Sequence, residues 1–163
     1  MASFPELYEF SEQVQQFAIY KRTIQGCSEK TVNEYMLDLR TFFRYLIAKG
    51  KGIDIESEDF IKIDITPIDA DYLSKIKTEQ IYEFLFYTGD TRKNMWSAKA
   101  RKLSAIKGLY KYMTLKRNYF EENPAINIES PKPKKALPKF LNLDESMLLL
   151  QAILDDEESN TKE

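Results

Sequence analysis

Between Ser28 and Gly52 the chain carries an apolar stripe regular enough to dictate a long helix. Val32, Tyr35, Met36, Leu39, Phe42, Phe43, Leu46 and Ile47 recur at three- and four-residue steps, which places them on one wide face of a 3.6-residue helix. Ser28 supplies a hydroxyl able to accept from a free N–H of the first turn. Gly50 and Gly52 supply the stop. Side chains of that size on so wide a face need other elements to cover them.

The other segments read as helices too. From about Pro5 to Thr23, Leu7, Phe10, Val14, Phe17 and Tyr20 or Lys21 mark one apolar face, and Gly26 fits a C-terminal cap. In residues 51–68, Ile53, Ile55, Ile61, Ile63 and Ile65 alternate as strand residues do. Two short isolated strands would be marginal, so the segment is expected to be a long connection packing its isoleucines on the helices. A short helix is expected after Asp69, and another after Thr78, whose hydroxyl is a good cap, with Ile81, Phe84 and Leu85 inward. The fourth long segment runs from about Arg92 to Arg117, with Met95, Trp96, Leu103, Ile106, Tyr110 and Met113 on one side. Asn123-Pro124 ends it, because proline drives the residue before it out of the helical region.

The expected architecture is therefore all-α, a bundle of four to five helices over residues 1–129. Ser130 to Lys139 reads as a linker: Pro131, Pro133 and Pro138 stiffen it, and Lys132, Lys134, Lys135 and Lys139 charge it. Residues 140–163 then open a second unit that the chain is not expected to complete. There Asn142 and Glu145 have capping-box spacing ahead of Met147, Leu148, Leu149, Leu150 and Ile153.

Composition removes several classes of function. With 43% apolar and 31% charged residues the 163-residue chain reads as globular. No apolar run approaches the roughly 18 residues of a membrane span, and no signal pattern opens the sequence; a cytoplasmic, non-membrane protein is expected. The lone Cys27 cannot form an internal disulfide. Histidine is absent, which excludes Ser-His-Asp, Cys-His and His-ligated metal sites. The run Asp155, Asp156, Glu157 and Glu158 reads as a solvated end. No metal, cofactor or catalytic residue is expected.

The net charge of −2 hides an asymmetry. Residues 91–140 hold 13 Lys or Arg against 3 Asp or Glu, and the rest holds 11 against 23, so the balance is +10 against −12. Phosphate binding follows local positive density rather than the total. On a helical wheel, Asn94, Ser97, Ala98, Arg101, Ser104, Ala105, Gly108 and Tyr112 lie opposite the apolar side of the fourth segment, with Arg101 central and Lys93, Lys102, Lys107 and Lys111 flanking. Small side chains would let a duplex approach while the guanidinium reaches a phosphate or a guanine edge. The same stripe equally suits close helix–helix packing with a solvated lysine rim. A second polar helix start at Ser28, Lys30, Thr31 and Asn33 adds to the first reading.

Three stretches resemble one family in order and spacing. Ser28, Thr31, Val32, Tyr35, Asp38, Leu39 and Phe42 match the S-x-x-T-V-x-x-Y-x-x-D-L-x-x-F pattern of tyrosine site-specific recombinases of the Xer and phage-integrase type. The run from Arg101 to Tyr112 is similar to the family's R-x-L-S-A-L-R-x-F-Y-x-Y helix, with Lys107 where arginine is common. Asn123-Pro124-Ala125, Pro131-Lys132 and Leu137-Pro138 to Leu141 resemble the N-P-A, P-K and L-P-x-x-L sequence that leads into the family's catalytic domain.

This resemblance implies a SAM-like core-binding domain that closes over one side of double-stranded DNA, with the second and fourth helices toward the grooves. By position it carries to Lys30, Thr31 and Tyr35, and to Ser97, Arg101, Ser104 and Lys107. Lys111 and the linker lysines Lys132, Lys134 and Lys135 are added as further cations. The family's tyrosine nucleophile and its companions are expected beyond this chain, so binding without cutting is expected. Intact relatives assemble as tetramers of protomers on DNA; this chain alone is expected to be monomeric. The alternative is a helical protein-interaction or regulatory module built on the same scaffold.

Overall fold

The computed structural model of the protein describes residues 5–90, 96–130, 147, 148 and 150–155. It is helical, with no strand among the described residues. The chain divides into two compact units, Met1–Pro131 and Lys132–Glu163. In the first, the helices are α1 (Glu12–Thr23), α2 (Glu29–Lys51), α3 (Ala70–Ser74), α4 (Thr78–Asp90) and α5 (Trp96–Lys111). A π-helical turn, Tyr112–Lys116, prolongs α5.

The second apolar stripe became the centre of the bundle. In α2, Val32, Met36, Leu39, Phe42, Phe43, Leu46 and Ile47 are buried, and the helix touches α1, α4 and α5. The Ser28 hydroxyl accepts from the Thr31 N–H at 3.1 Å, capping the start. Gly52, left-handed at φ 71°, ends it. Glycine adopts that conformation without the Cβ clash other residues suffer. Gly50 lies inside the helix instead of stopping it. Aromatic rings fill the space between α2 and α4: Phe42 and Tyr45 lie 5.0 and 5.5 Å from Phe84, and Tyr45 stacks on Tyr87 at 5.1 Å. Such offset and edge contacts between rings add to the burial of their area.

The N-terminal segment is not one helix. A 3-10 turn, Leu7–Glu9, is separated from α1 by Phe10, which is buried, and by Ser11, whose hydroxyl caps the Val14 N–H. A serine that can cap competes with helix continuation, and the break leaves Leu7 42% exposed while Phe10, Val14 and Phe17 enter the core. Gly26, at φ 65°, turns the chain so that the Cys27 N–H returns to the Lys21 carbonyl.

Residues 51–68 form the expected connection. It contains one 3-10 turn, Glu58–Lys62; Ile65 and Ile68 are buried, Ile53, Ile55 and Ile63 are partly buried, and Ile61 points to solvent. Asp69 caps α3 by accepting from the Tyr72 N–H. Thr78 opens α4 as its first residue, and its hydroxyl donates to the Pro124 carbonyl rather than capping. The Lys77 N–H is taken by the Gln80 side chain. Ile81, Phe84 and Leu85 face inward as expected.

Tyr110 joins α5 to α3: its ring is fully buried and its hydroxyl donates to the Leu73 carbonyl at 2.9 Å. After α5, an Asx turn at Asn123 starts a looped segment whose Ala125 and Ile128 return to the core. In the second unit, Met147, Leu148 and residues 150–155 are helical, and Met147, Leu148, Leu150, Ile153 and Leu154 are exposed. Met95, Leu149 and the linker residues 131–139 lie outside the described residues.

Candidate nucleic-acid interface

The α5 helix settles which half of its small-residue stripe is open. Lys102, Leu103, Ala105, Ile106, Leu109 and Tyr110 are buried, and Tyr112 and Met113 follow them inward. Solvent reaches Ser97, Ser104 and Lys111, with Ala100, Arg101, Lys107 and Gly108 at the half-buried edges. At 100° per residue this open strip spans roughly a third of the circumference and is centred on Ser104. The expectation of a broad face centred on Arg101 is therefore corrected. Ala105 and Tyr112 point into the bundle, Ala98 is half-buried, and Lys102 is buried rather than flanking. The small residues do bring helices together on that side. At Gly108 a Cβ would lie 3.6 Å from Lys21 Nζ and 3.7 Å from the Phe17 ring of α1. Asn94 and Lys93 lie outside the described residues.

Arg101 stands at the edge of the strip because α2 holds it there. Its Nε donates to Asp38 Oδ2 at 2.8 Å and one terminal nitrogen donates to Asp38 Oδ1 at 3.1 Å. Asp38 is buried, with a side chain only 3% exposed, and Lys102 Nζ approaches its other side at 3.4 Å. A carboxylate in the apolar face of α2 is thus neutralised by two cations from consecutive positions of α5, as burial of a charge demands. The hydrogen bonds to Asp38 raise the guanidinium's pKa further, against the opposing effect of desolvation, with Glu34 adding a weaker pull. Arg101 keeps its charge at every accessible pH, and 40% of its side chain faces solvent. Fork-to-carboxylate bonding of this kind fixes a guanidinium's orientation.

The remaining expected residues fall into two groups. Lys30 is exposed in the first turn of α2, and Ser97, Ser104 and Lys111 are exposed along α5. Thr31 is half-buried, its hydroxyl accepting from Ser28. Tyr35 is half-buried on α2. Lys107 turns back onto its own fold and donates to the Ile128 carbonyl, so it ties the post-α5 loop to the helix. Lys132, Lys134 and Lys135 lie outside the described residues.

Two residues that the sequence reading left unassigned take part in this surface. Lys21 of α1 crosses toward α5, its ammonium 5.3 Å from the Tyr35 ring centre and 5.7 Å from that of Phe17. Asp38 sets the pose of Arg101. Each had a signal in the sequence, a charge inside an otherwise apolar helical stripe. Three helices meet along this strip: Lys21 of α1 lies against Tyr35 of α2 and Gly108 of α5, and Asp38 of α2 holds Arg101 of α5. The chemistry available is that of hydrogen-bond donors and fixed cations suited to an anion. Among the described residues no group of His, Cys, Asp or Glu is placed to hold a metal ion, and no helix is long and apolar enough to cross a membrane.

Known proteins resemble the chain along most of its length. Over 151 residues, 93% of this chain, it is 32% identical to a tyrosine recombinase XerC of Caldanaerobacter subterraneus subsp. tengcongensis, covering 42% of that protein. It is 26% identical over 162 residues to a tyrosine recombinase XerC of Leptospira interrogans, covering 98% of this chain and 44% of the relative. A tyrosine recombinase of Pseudothermotoga lettingae matches at 28% over 138 residues, 85% of this chain and 41% of its own length. The chain thus spans less than half the length of these relatives. No family model and no solved structure matches it.

Proposed function

This chain belongs to the tyrosine recombinase family, and on that premise we propose that it is a segment with which such a recombinase grips duplex DNA. The observation that carries the reading is the strip on α5: exposed Ser97, Ser104 and Lys111 beside an arginine that α2 holds in a fixed pose. Hydroxyls and cations on a rigid helix are what positions a protein on a phosphate backbone, and a fixed guanidinium is suited to a phosphate or a guanine edge.

Within that reading, residues 1–129 form the DNA-binding unit. Residues 130–139 form a linker whose Lys132, Lys134 and Lys135 follow the backbone. Residues 140–163 begin the catalytic domain. Cleavage and rejoining of strands is assigned to residues outside this chain, and none of its ten tyrosines is assigned as nucleophile. The parent acts in site-specific recombination or DNA integration in the cytoplasm, with other recombinase protomers as partners in a tetramer on DNA. The isolated chain is a monomer that binds weakly and with little sequence preference. Lys107 is kept in the interface only through its half-exposed edge, since its ammonium already serves Ile128.

The test is duplex binding by the full chain, followed by fluorescence anisotropy across a salt series. Affinity is expected to fall log-linearly with salt, as counterions released by bound lysines and arginines require. The second reading, a protein-interaction module, is favoured by the exposed Met147, Leu148, Leu150, Ile153 and Leu154, a patch of a kind that often marks a partner site. Absence of duplex binding even at low salt, with a stable protein partner found instead, decides for it.

A further inference from the structure

Resting on the reading of this surface as a duplex-binding one, we propose that Lys21 of α1 is a DNA-backbone contact, an ammonium posted over Gly108 of α5 to receive a phosphodiester oxygen. Lys21 follows Phe17 by one helical turn, on the side of α1 that buries Val14, Phe17 and Ala18. A lysine there normally lays its stem on apolar surface and carries its head out to water. Here the head is held instead. Nζ lies 5.7 Å from the centre of the Phe17 ring and 5.3 Å from that of Tyr35, both within the range where a ring's negative face attracts a cation.

Two aromatic rings orient the ammonium without neutralising it. None of the ion pairs among the described residues involves Lys21; its chain neighbour Arg22 pairs with Glu29, and Arg101 pairs with Asp38. The charge is therefore intact. Its third neighbour is Gly108, where a Cβ would stand 3.6 Å from Nζ. The absence of a side chain at that point leaves only backbone between the ammonium and the open strip. Ser104 and Lys111, both exposed, lie one turn to either side of Gly108. An anion resting on Gly108 would meet Lys21 from α1, and the Ser104 hydroxyl and Lys111 from α5. Glycine permits such close approach of backbone to ligand. The ligand class is a phosphodiester of the duplex backbone, since the donors are point charges and a hydroxyl without the planar fork that reads base edges.

Lys21→Met removes the charge and keeps the apolar stem against Phe17 and Tyr35. The full chain carrying it is compared with the unsubstituted chain on fluorescein-labelled duplexes, one A·T-rich and one G·C-rich, across a salt series. Thermal unfolding is recorded in parallel. Unfolding is expected to stay at the parent temperature. Duplex affinity is expected to fall to the same extent on both sequences, as a backbone contact requires. The slope of log K against log salt is expected to shallow by about 0.9, so that the loss between 50 and 200 mM salt shrinks by about 3.5-fold. Lys21→Gln should reproduce the slope change, and Lys21→Arg should restore the parent slope. Parent-like affinity and slope in both neutral variants overturn the assignment of Lys21 and leave the surface reading standing. Failure of the unsubstituted chain to bind either duplex at low salt overturns both.

Discussion

Replacing Arg101 by alanine should cost the bundle stability, whatever it does to a ligand. The Asp38 carboxylate, 3% exposed, accepts bonds of 2.8 and 3.1 Å from the guanidinium and has Lys102 Nζ at 3.4 Å. Removing one partner of a fully buried pair costs roughly 3–5 kcal/mol, because the other charge is stranded. Two features reduce that figure here. The Arg101 side chain is 40% exposed, so water already screens it, and pairs between exposed groups are worth only about 0–1 kcal/mol. Lys102 also remains beside the carboxylate. The balance is a loss of about 1–2 kcal/mol, between those bounds. For a unit of about 130 residues that lowers the unfolding midpoint by about 4–8 °C.

The structure also ranks the neighbours. Asp38→Ala should cost more, about 2–4 kcal/mol, since it takes the carboxylate away from Lys102, whose side chain is 8% exposed, as well as from Arg101. Lys111→Ala, on the open strip, should stay within about 0.5 kcal/mol of the parent. Thermal unfolding followed by circular dichroism, with urea midpoints as a check, reads all three. If Arg101→Ala unfolds at the parent temperature, the Asp38 clamp contributes nothing and the argument from its burial is wrong. If the ranking holds, weaker duplex binding by Arg101→Ala must be measured well below its lowered midpoint before it is credited to a lost contact.

Tyr110 makes the fold sensitive to alkali. Burial raises its pKa above the 10.0 of an unfolded tyrosine, and desolvation raises Tyr45, Tyr72 and Tyr112 in the same direction. A raised acid stabilises fully below the unfolded value; above about pH 10 the unfolded chain loses a proton that folded Tyr110 keeps, and stability falls by about 1.4 kcal/mol per pH unit on its account, with the other three tyrosines acting in the same direction. Tyr110→Phe should cost about 1 kcal/mol near neutrality through the lost bond to Leu73, and it should make the alkaline decline in urea midpoint shallower. An unchanged decline refutes the role of its burial. Gly108→Ala should stabilise by about 0.5–1 kcal/mol, because glycine inside a helix costs that much and the added methyl meets Lys21 and Phe17 at an ordinary 3.6–3.7 Å. A lower urea midpoint would mean that α1 is forced to move.

Helix existence was readable wherever the apolar period was long and flanked by a cap. Segment α2 is the clearest case, from Ser28 to Gly52. Boundaries failed where local polar chemistry outcompeted periodicity. Ser11 caps α1 and so cuts the first segment at Phe10, and Thr78 donates to Pro124 instead of capping α4. The site was half legible. A wheel drawn on one helix finds the polar arc but not which part of it a neighbour covers. Ala105 and Gly108 look alike on that wheel, yet one is buried and the other is crossed by Lys21 at the edge of the strip. That difference is decided by the approach of α1 and α2, which no period within α5 encodes.

The charge counted along the chain differs from the charge the fold presents. Residues 91–140 hold 13 cations against 3 anions, which suggests a positive helix. Yet Asp38, from outside that window, sits against Arg101 and Lys102 and cancels one of their two charges inside the bundle. Lys107 turns its ammonium to Ile128. In the other direction, α1 adds Lys21 and α2 adds the exposed Lys30, neither of which the window counts. A positive strip built this way belongs to the packing of three helices rather than to one basic segment. Arg101 and Lys21 keep their positions only while α1, α2 and α5 stay packed, so these two would meet a phosphate backbone as a fixed pair. Rigid cations lose less side-chain entropy on binding than free lysines do, so under the proposed reading the buried Asp38 would pre-orient Arg101 for a phosphate, at the cost of a carboxylate in the core.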